Sequence, residues 1–402
     1  MTITSDSISS KKIIKKLMFC LFVFVSIFCL NAEILIDNEF GYYLDIPEGY
    51  HIQQSEDNGK SYLFYHPNIP VNLAIKIYSD AQYKNSLQVM KTALSKLSVT
   101  QTEENTSSLT WNDRSCTVSN FTMMLDKAYY TWAVCVPCDV KNSYLYLMCY
   151  TPCDMKEITE QFIISTINSL CMSEKYKNTA GIISSLAFKN TKEVSGVEKL
   201  NGKEFNFTIG DQDLEGNKFI TDLEYSVLCL YKEHKAGIEA WKRFYRQVYK
   251  DSYERLKSFN ESFYKTFYPI AKEKNPQNPD ITYAQIVLDF VQSMQYKRNQ
   301  GKNETDFTSM IEILYGVGND CDSRSMMVCI LLNYAGIDSI MLISPAYSHA
   351  MAGVNNNAPG QKYTLQENGK TYLYGETTDN VTWGMLPQNY SDESQWIPIV
   401  FD

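Results

Sequence analysis

The chain has 402 residues, 46 acidic against 37 basic side chains, a net charge of −9, and 44% hydrophobic residues that include 29 Tyr and 19 Phe. That length exceeds what one core usually organises, and that aromatic content excludes a disordered chain. An acidic balance, with no Lys/Arg stripe beyond the N-terminus, excludes nucleic acid as a partner.

The first residues read as a secretion signal. Lys11, Lys12, Lys15 and Lys16 precede an apolar run of 14 residues, Leu17 to Leu30. The run is short for a bilayer span and the right length for a signal core. Leu30-Asn31-Ala32 offers a cleavage site. An uncleaved anchor is the other reading. Cleavage removes four Lys and one Asp and leaves a net charge of about −12. Cys29 offers a lipid-anchor position, although Ser26-Ile27-Phe28 fits the usual lipobox poorly. No other apolar stretch is long enough to span a bilayer. The expected location is outside the cytoplasm, in a bacterial periplasm or cell envelope, without a stable membrane span after cleavage.

Residues 33–173 predict one unit. Phe40–Tyr50 reads as a strand followed by a turn, and Ser61–His66 and Val71–Ser79 alternate as strands. Leu87–Leu97 has helical spacing, and four antiparallel strands follow between Ser108 and Tyr150. A helix from Met155 to Leu170 closes the unit. Six cysteines fall here: Cys116, Cys135, Cys138, Cys149, Cys153 and Cys171. In an exported chain they suggest disulfides of undetermined pairing, ahead of buried thiols and of a zinc site. The order of elements, with FGYYLDIPEGY, Trp111-x-x-Arg114 and STINSL, resembles the PsbP-like fold. That resemblance implies a binding or docking module.

Residues 174–202 read as a polar linker with some structure. Residues 203–402 form the second domain, opening with a strand at Lys203–Ile209. Helices are expected over Phe219–Tyr231 and Ile238–Phe267, the latter with an aromatic packing stripe. Asp280 is expected to cap the helix ITYAQIVLDFVQSMQY. The fold class is therefore α+β, with an N-terminal antiparallel sheet flanked by helices and a helix-rich C-terminal domain with its own antiparallel sheet. No internal repeat and no phosphate-binding glycine loop is seen.

Three C-terminal pieces carry chemistry. Cys321 follows Gly316 and Gly318, at the start of a helix capped by Asn319 or Asp320 and ended near Gly336. A first-turn cysteine feels the positive helix end, which favours thiolate. Asp320 and Asp322 act against this, so the helix end and a histidine must outweigh them. His349 begins a strand after ISPAYS and is bracketed by small and apolar residues; a structural core histidine is the bland alternative. Glu376 ends the strand TYLYG, which the hairpin signal Asn368-Gly369 places in the same sheet. An exposed strand-end acid is the bland alternative there, and Asp379 is the fallback for its role. A thiol, an imidazole and an orienting acid in this order suit nucleophilic catalysis.

GNDCDSRSMMVCILLNYAGI, SHAMAGV and YLYGETT, in that order, resemble the bacterial transglutaminase-like domain of the papain-like cysteine protease superfamily. That family shows G-D-C-E-D-x-S before an apolar helix, H-x-x-x-G-V on a strand and E-T-T after one. AQIVLDFVQSMQY resembles its F-V-Q-x-x-x-Y helix. The likeness covers about residues 280–385. It implies Cys321 as nucleophile, His349 as base and Glu376 as orienting acid. Gln292 is the oxyanion candidate beside the Cys321 amide, with Gln295 as rival. Asn319 and Asp322-Ser323 depart from the family pattern without touching these three. The implied reaction is acyl transfer through a thioester on a protein or peptide substrate, by hydrolysis or by amine cross-linking, with hydrolysis favoured. No metal or organic cofactor is implied. The alternative is a non-catalytic envelope binding or assembly protein with a vestigial site.

Overall fold

A computed structural model describes residues 34–80, 82–97, 99, 105–298 and 305–401. The signal segment and Cys29 lie outside the described residues. Among the described residues, no helix is long and apolar enough to cross a membrane.

The N-terminal region is built on seven strands: β3 (His51–Glu56), β4 (Ser61–Tyr65), β5 (Asn72–Ser79), β6 (Thr106–Trp111), β7 (Arg114–Met124), β8 (Ala128–Pro137) and β9 (Ser143–Pro152). They pair antiparallel in the order β3-β4-β5-β9-β8-β7-β6. Alternation assigns the two faces of β9, as a strand demands. Leu145, Leu147 and Cys149 pack on one side with Phe162, Ile163 and Ile167 of helix α2 (Lys156–Asn168). Tyr144, Tyr146 and Met148 pack on the other with Val89, Met90 and Ala93 of α1 (Ser86–Ser95). Strands β1 (Ile34–Asp37), β2 (Tyr42–Asp45) and β10 (Leu170–Met172) form a small sheet whose buried residues join the α2-side core.

The nine cysteines among the described residues are all free thiols. The expected disulfides are thus corrected, and the sheet supplies the reason. Cys116 on β7 and Cys149 on β9 share a face but are separated by β8. Two strand spacings, about 9–10 Å, exceed the Cα separation a disulfide spans. Cys135 faces the opposite core. No group of three His, Cys, Asp or Glu among the described residues could hold a metal.

Residues 174–202 contain a short buried helix, α3 (Ile182–Ala187), and strand β11 (Glu193–Leu200). An Asn201-Gly202 turn with positive φ at both residues returns the chain into β12 (Lys203–Gly210). Helices α4 (Asp213–Cys229), α5 (Gly237–Arg255), α6 (Lys257–Lys274), α7 (Pro279–Gln292), α8 (Met310–Leu314) and α9 (Cys321–Tyr334) follow. The single helix expected over Ile238–Phe267 is two. The chain leaves helical geometry at Leu256, where ψ is 4°, and Leu256 is fully buried. The break lets α6 turn Phe259, Phe263 and Phe267 onto Phe205 of the hairpin. Asn278, not Asp280, caps α7, and α7 stops at Gln292. Asp280 instead accepts from the Tyr268 hydroxyl.

Helix α5 carries charge into the interior. Arg243 donates to the Asp45 carbonyl, the Glu224 carboxylate and the Ser165 carbonyl. Arg246 grips both Asp45 carboxylate oxygens, at 3.0 and 2.9 Å, and Gln247 adds a third donor. Lys250 donates to the carbonyls of Ser169 and Leu170. Glu48, buried nearby with Oε1 unpartnered, is pushed up to about 7, chiefly by burial.

The last five strands are β13 (Ser339–Ser344), β14 (His349–Val354), β15 (Lys362–Thr364), β16 (Thr371–Gly375) and β17 (Ile397–Ile399). They form an antiparallel sheet in the order β15-β16-β14-β13-β17. Helix α9 packs on β13 and β14, with its apolar residues in the same core as Met341, Ala350 and Ala352.

Candidate functional site

Asp320 is the cap of α9. Its carboxylate accepts from the Ser323 amide at 3.0 Å and the Ser323 hydroxyl at 2.6 Å. The loop just before it is pinned to the segment after α7. Asn319 bridges Tyr296 in parallel, with the Lys297 amide donating to the Asn319 carbonyl and the Asn319 amide to the Gln295 carbonyl. Gly318 permits this approach, because a Cβ there would lie 2.5 Å from the Lys297 Cβ. Cys321 therefore occupies the first position of a helix whose start is held from two sides.

The thiol is 1% exposed. It donates to Asp322 Oδ1 at 3.4 Å, and the backbone amide of Ala350, the residue after His349, is near enough to act on the sulfur. Burial, then the charges of Asp322 and Asp320, push the Cys321 thiol well up, while the Ala350 amide works the other way. This corrects the expectation of a thiol lowered by the helix end. The two carboxylates are also pushed up by burial. Asp322 is held from α5 by the Tyr245 hydroxyl at 2.5 Å.

His349 opens β14 opposite Ser344. Its Nε2 lies 2.7 Å from Glu376 Oε2. Burial acts to raise the Glu376 carboxyl, but the His349 bond and charge, together with the Thr378 hydroxyl and amide on Oε1, hold it below the usual range. An ionised Glu376 is acceptor only, so Nε2 carries the hydrogen and a neutral His349 keeps its lone pair on Nδ1. Tyr390 and Trp396 wall the imidazole, with ring centroids 5.4 and 6.3 Å away.

Glu376 leaves β16 just past the Gly375–Ala352 pair. Gly375 is required by close approach, because a Cβ there would lie 2.4 Å from the Trp383 ring. Gln292 donates through Nε2 to the carbonyls of Glu376, at 2.8 Å, and Val381, at 3.0 Å. Its amide hydrogens are committed to bracing the loop that carries the acid, which leaves none for an oxyanion. Gln295 is exposed and meets Asn319 through its backbone. Asp379 is exposed, and the His349 Nε2 pairing is filled by Glu376.

The structure thus joins His349 to Glu376 directly and sets Cys321 against the residue following His349. Sequence reasoning passed over Arg324, Tyr245 and Thr378. Arg324 left a signal, a cation at the start of a helix that turns apolar two residues later. Tyr245 left none among the many aromatics of α5.

No family description and no curated protein matches the chain. Among solved structures, a cyanobacterial PsbP from Synechocystis is similar at 12% identity, covering 38% of this chain and 98% of its own, with a TM-score of 0.29. LpqN of Mycobacterium tuberculosis, described as involved in cell envelope biogenesis, is similar at 12% identity, over 33% of this chain and 83% of its own, with a TM-score of 0.27. A protein from Bacteroides thetaiotaomicron is similar at 11% identity over 82% of this chain and 88% of its own, with a TM-score of 0.25. Scores of this size specify neither the fold nor the chemistry of the site.

Proposed function

We propose that the chain is an exported cysteine acyl-transfer enzyme that works through a thioester, acting as a peptide or amide hydrolase. The observation that carries this reading is one local arrangement. Glu376 orients His349 through Nε2 at 2.7 Å, and the helix that Cys321 opens packs on the strand that His349 opens, with the Ala350 amide near enough to act on the sulfur. In the proposed reaction Nδ1 of His349 takes the thiol proton and the sulfur attacks the substrate carbonyl. The C–N bond breaks, and the leaving amine takes the proton from the imidazolium. Water then attacks the thioester with His349 as base and restores the thiol. An amine in place of water gives cross-linking instead.

A second reading is favoured by one feature. Cys321 is buried beside two carboxylates that oppose a thiolate. A non-catalytic envelope protein whose Cys-His-Glu cluster serves packing fits that feature.

Iodoacetamide labelling of the mature chain from pH 5 to 9, read at Cys321 by peptide mass spectrometry, separates the two. The enzyme reading expects a rate below pH 7 that exceeds an ordinary thiol's and disappears in His349→Ala. Labelling no faster than an ordinary thiol at every pH sinks it.

A further inference from the structure

Arg324 lies three residues after Cys321 on α9 and is 1% exposed. A guanidinium so deeply placed needs all its directions used, because a buried charge without partners is costly. Nε donates to Asn319 Oδ1 at 2.6 Å, Nη1 to the Thr377 carbonyl at 2.9 Å, and Nη2 to the Met294 carbonyl. The Tyr296 ring lies over it, 5.2 Å from the guanidinium carbon. The first partner is two residues before the thiol, the second follows Glu376 directly, and the third sits just beyond α7.

We propose that Arg324 is a positioning residue that fixes the distance between the thiol and the His349–Glu376 pair. The proposal rests on the acyl-transfer reading above. Thiol and acid sit on different elements, α9 and the loop after β16, and neither has a side-chain bond to the other in the structure's hydrogen-bond network. Arg324 supplies the link, as a planar fork with donors at fixed angles. Gln292 braces the same loop from α7 through Glu376 and Val381, so the acid's backbone is held on consecutive residues by two side chains. Loose geometry at such a site lowers rate even where every reacting group is present. Among the described residues no other arginine donates to the Thr377 carbonyl, and a lysine cannot reproduce three divergent donors from one plane.

The test compares the mature wild-type chain with Arg324→Lys, Arg324→Ala and His349→Ala. Folding is checked by near-ultraviolet circular dichroism and a cooperative urea transition. Cys321 labelling by iodoacetamide is followed from pH 5 to 9, and hydrogen exchange is read at the Thr378 amide. The expected result for Arg324→Lys is a loss of at least tenfold in the His349-dependent rate, with the alkaline limb of an ordinary thiol retained. Thr378 exchange should be at least tenfold faster, and millimolar guanidinium ion should restore part of the Arg324→Ala rate. If Arg324→Ala does not fold, the lysine variant, which keeps the charge and loses the fork, carries the comparison. A folded Arg324→Lys with wild-type labelling and unchanged Thr378 exchange overturns the assignment of Arg324 alone. A wild-type chain lacking any His349-dependent rate overturns the acyl-transfer reading, and with it the positioning role.

Discussion

The Tyr245 hydroxyl donates to Asp322 Oδ2 at 2.5 Å, while the other oxygen of that carboxylate accepts from the Cys321 thiol. The nucleophile candidate therefore rests against an acid held in place from another helix. Removing the charge with Asp322→Asn should ease thiolate formation. A shift of about one pKa unit, or ~1.4 kcal/mol, is the expected scale for losing a like charge at this range. Labelling of Cys321 at pH 7 should rise about tenfold. A slower reaction in the folded variant would mean that Asp322 assists the thiol.

Glu376→Gln tests the imidazole's partner. The folded carboxyl sits below its ordinary value, so its contribution to stability is fully present above the unfolded-state value, near 4.3, and fades as pH falls through the folded one. The glutamine variant should lose about 1–3 kcal/mol at pH 7 and much less near pH 3. Urea titrations at the two pH values measure the difference. A gap that widens toward acid contradicts the assigned hydrogen bond between His349 and an ionised Glu376.

Glu48 makes the opposite forecast. Its carboxyl is raised to about 7, so the unfolded chain loses this proton first and stability falls as pH climbs from about 4 to 7. Glu48→Gln should be close to neutral at pH 4 and should stabilise by up to about 3 kcal/mol at pH 8. Denaturant midpoints at pH 4 and pH 8 decide; a variant less stable than wild type at pH 8 shows that the charge is wanted.

Asp45→Asn removes the acid gripped by Arg246 and Gln247. Asp45 is held below its usual range; burial opposes this, but Arg246 and Arg243 outweigh it. Leaving those guanidiniums short of a counter-charge should cost about 3–5 kcal/mol, seen as a lower urea midpoint. A change under about 0.5 kcal/mol indicates that the cluster relaxes.

Much of the site was legible because its signals are local. A polar cap before an apolar run marked Cys321 as a helix start, and Asp320 takes the cap. Asn-Gly before TYLYG marked the hairpin that delivers Glu376, and Gly369 has φ of +71°. Tertiary facts were not legible. No glycine or proline announces the break at Leu256. The engagement of Gln292 with Glu376 and Val381 joins segments more than 80 residues apart. The thiol's raised affinity for its proton comes from burial, which helix position alone does not report. The cysteine cluster misled because strand order, not spacing, decides which thiols can meet.

Helix α5 has a consequence for how the gene can be cut. Its Arg243, Arg246, Gln247 and Lys250 all reach atoms of residues 45–170, with Arg243 also holding Glu224, and its Tyr245 ends on the residue beside Cys321. A chain trimmed to its C-terminal half would keep the cations and, Glu224 aside, lose these acceptors. The seam that composition draws near residue 174 is a change of writing, not a place where the folded molecule comes apart. Helix α5 is thus the rod through which the N-terminal sheet and the helix that begins at Cys321 are held to each other.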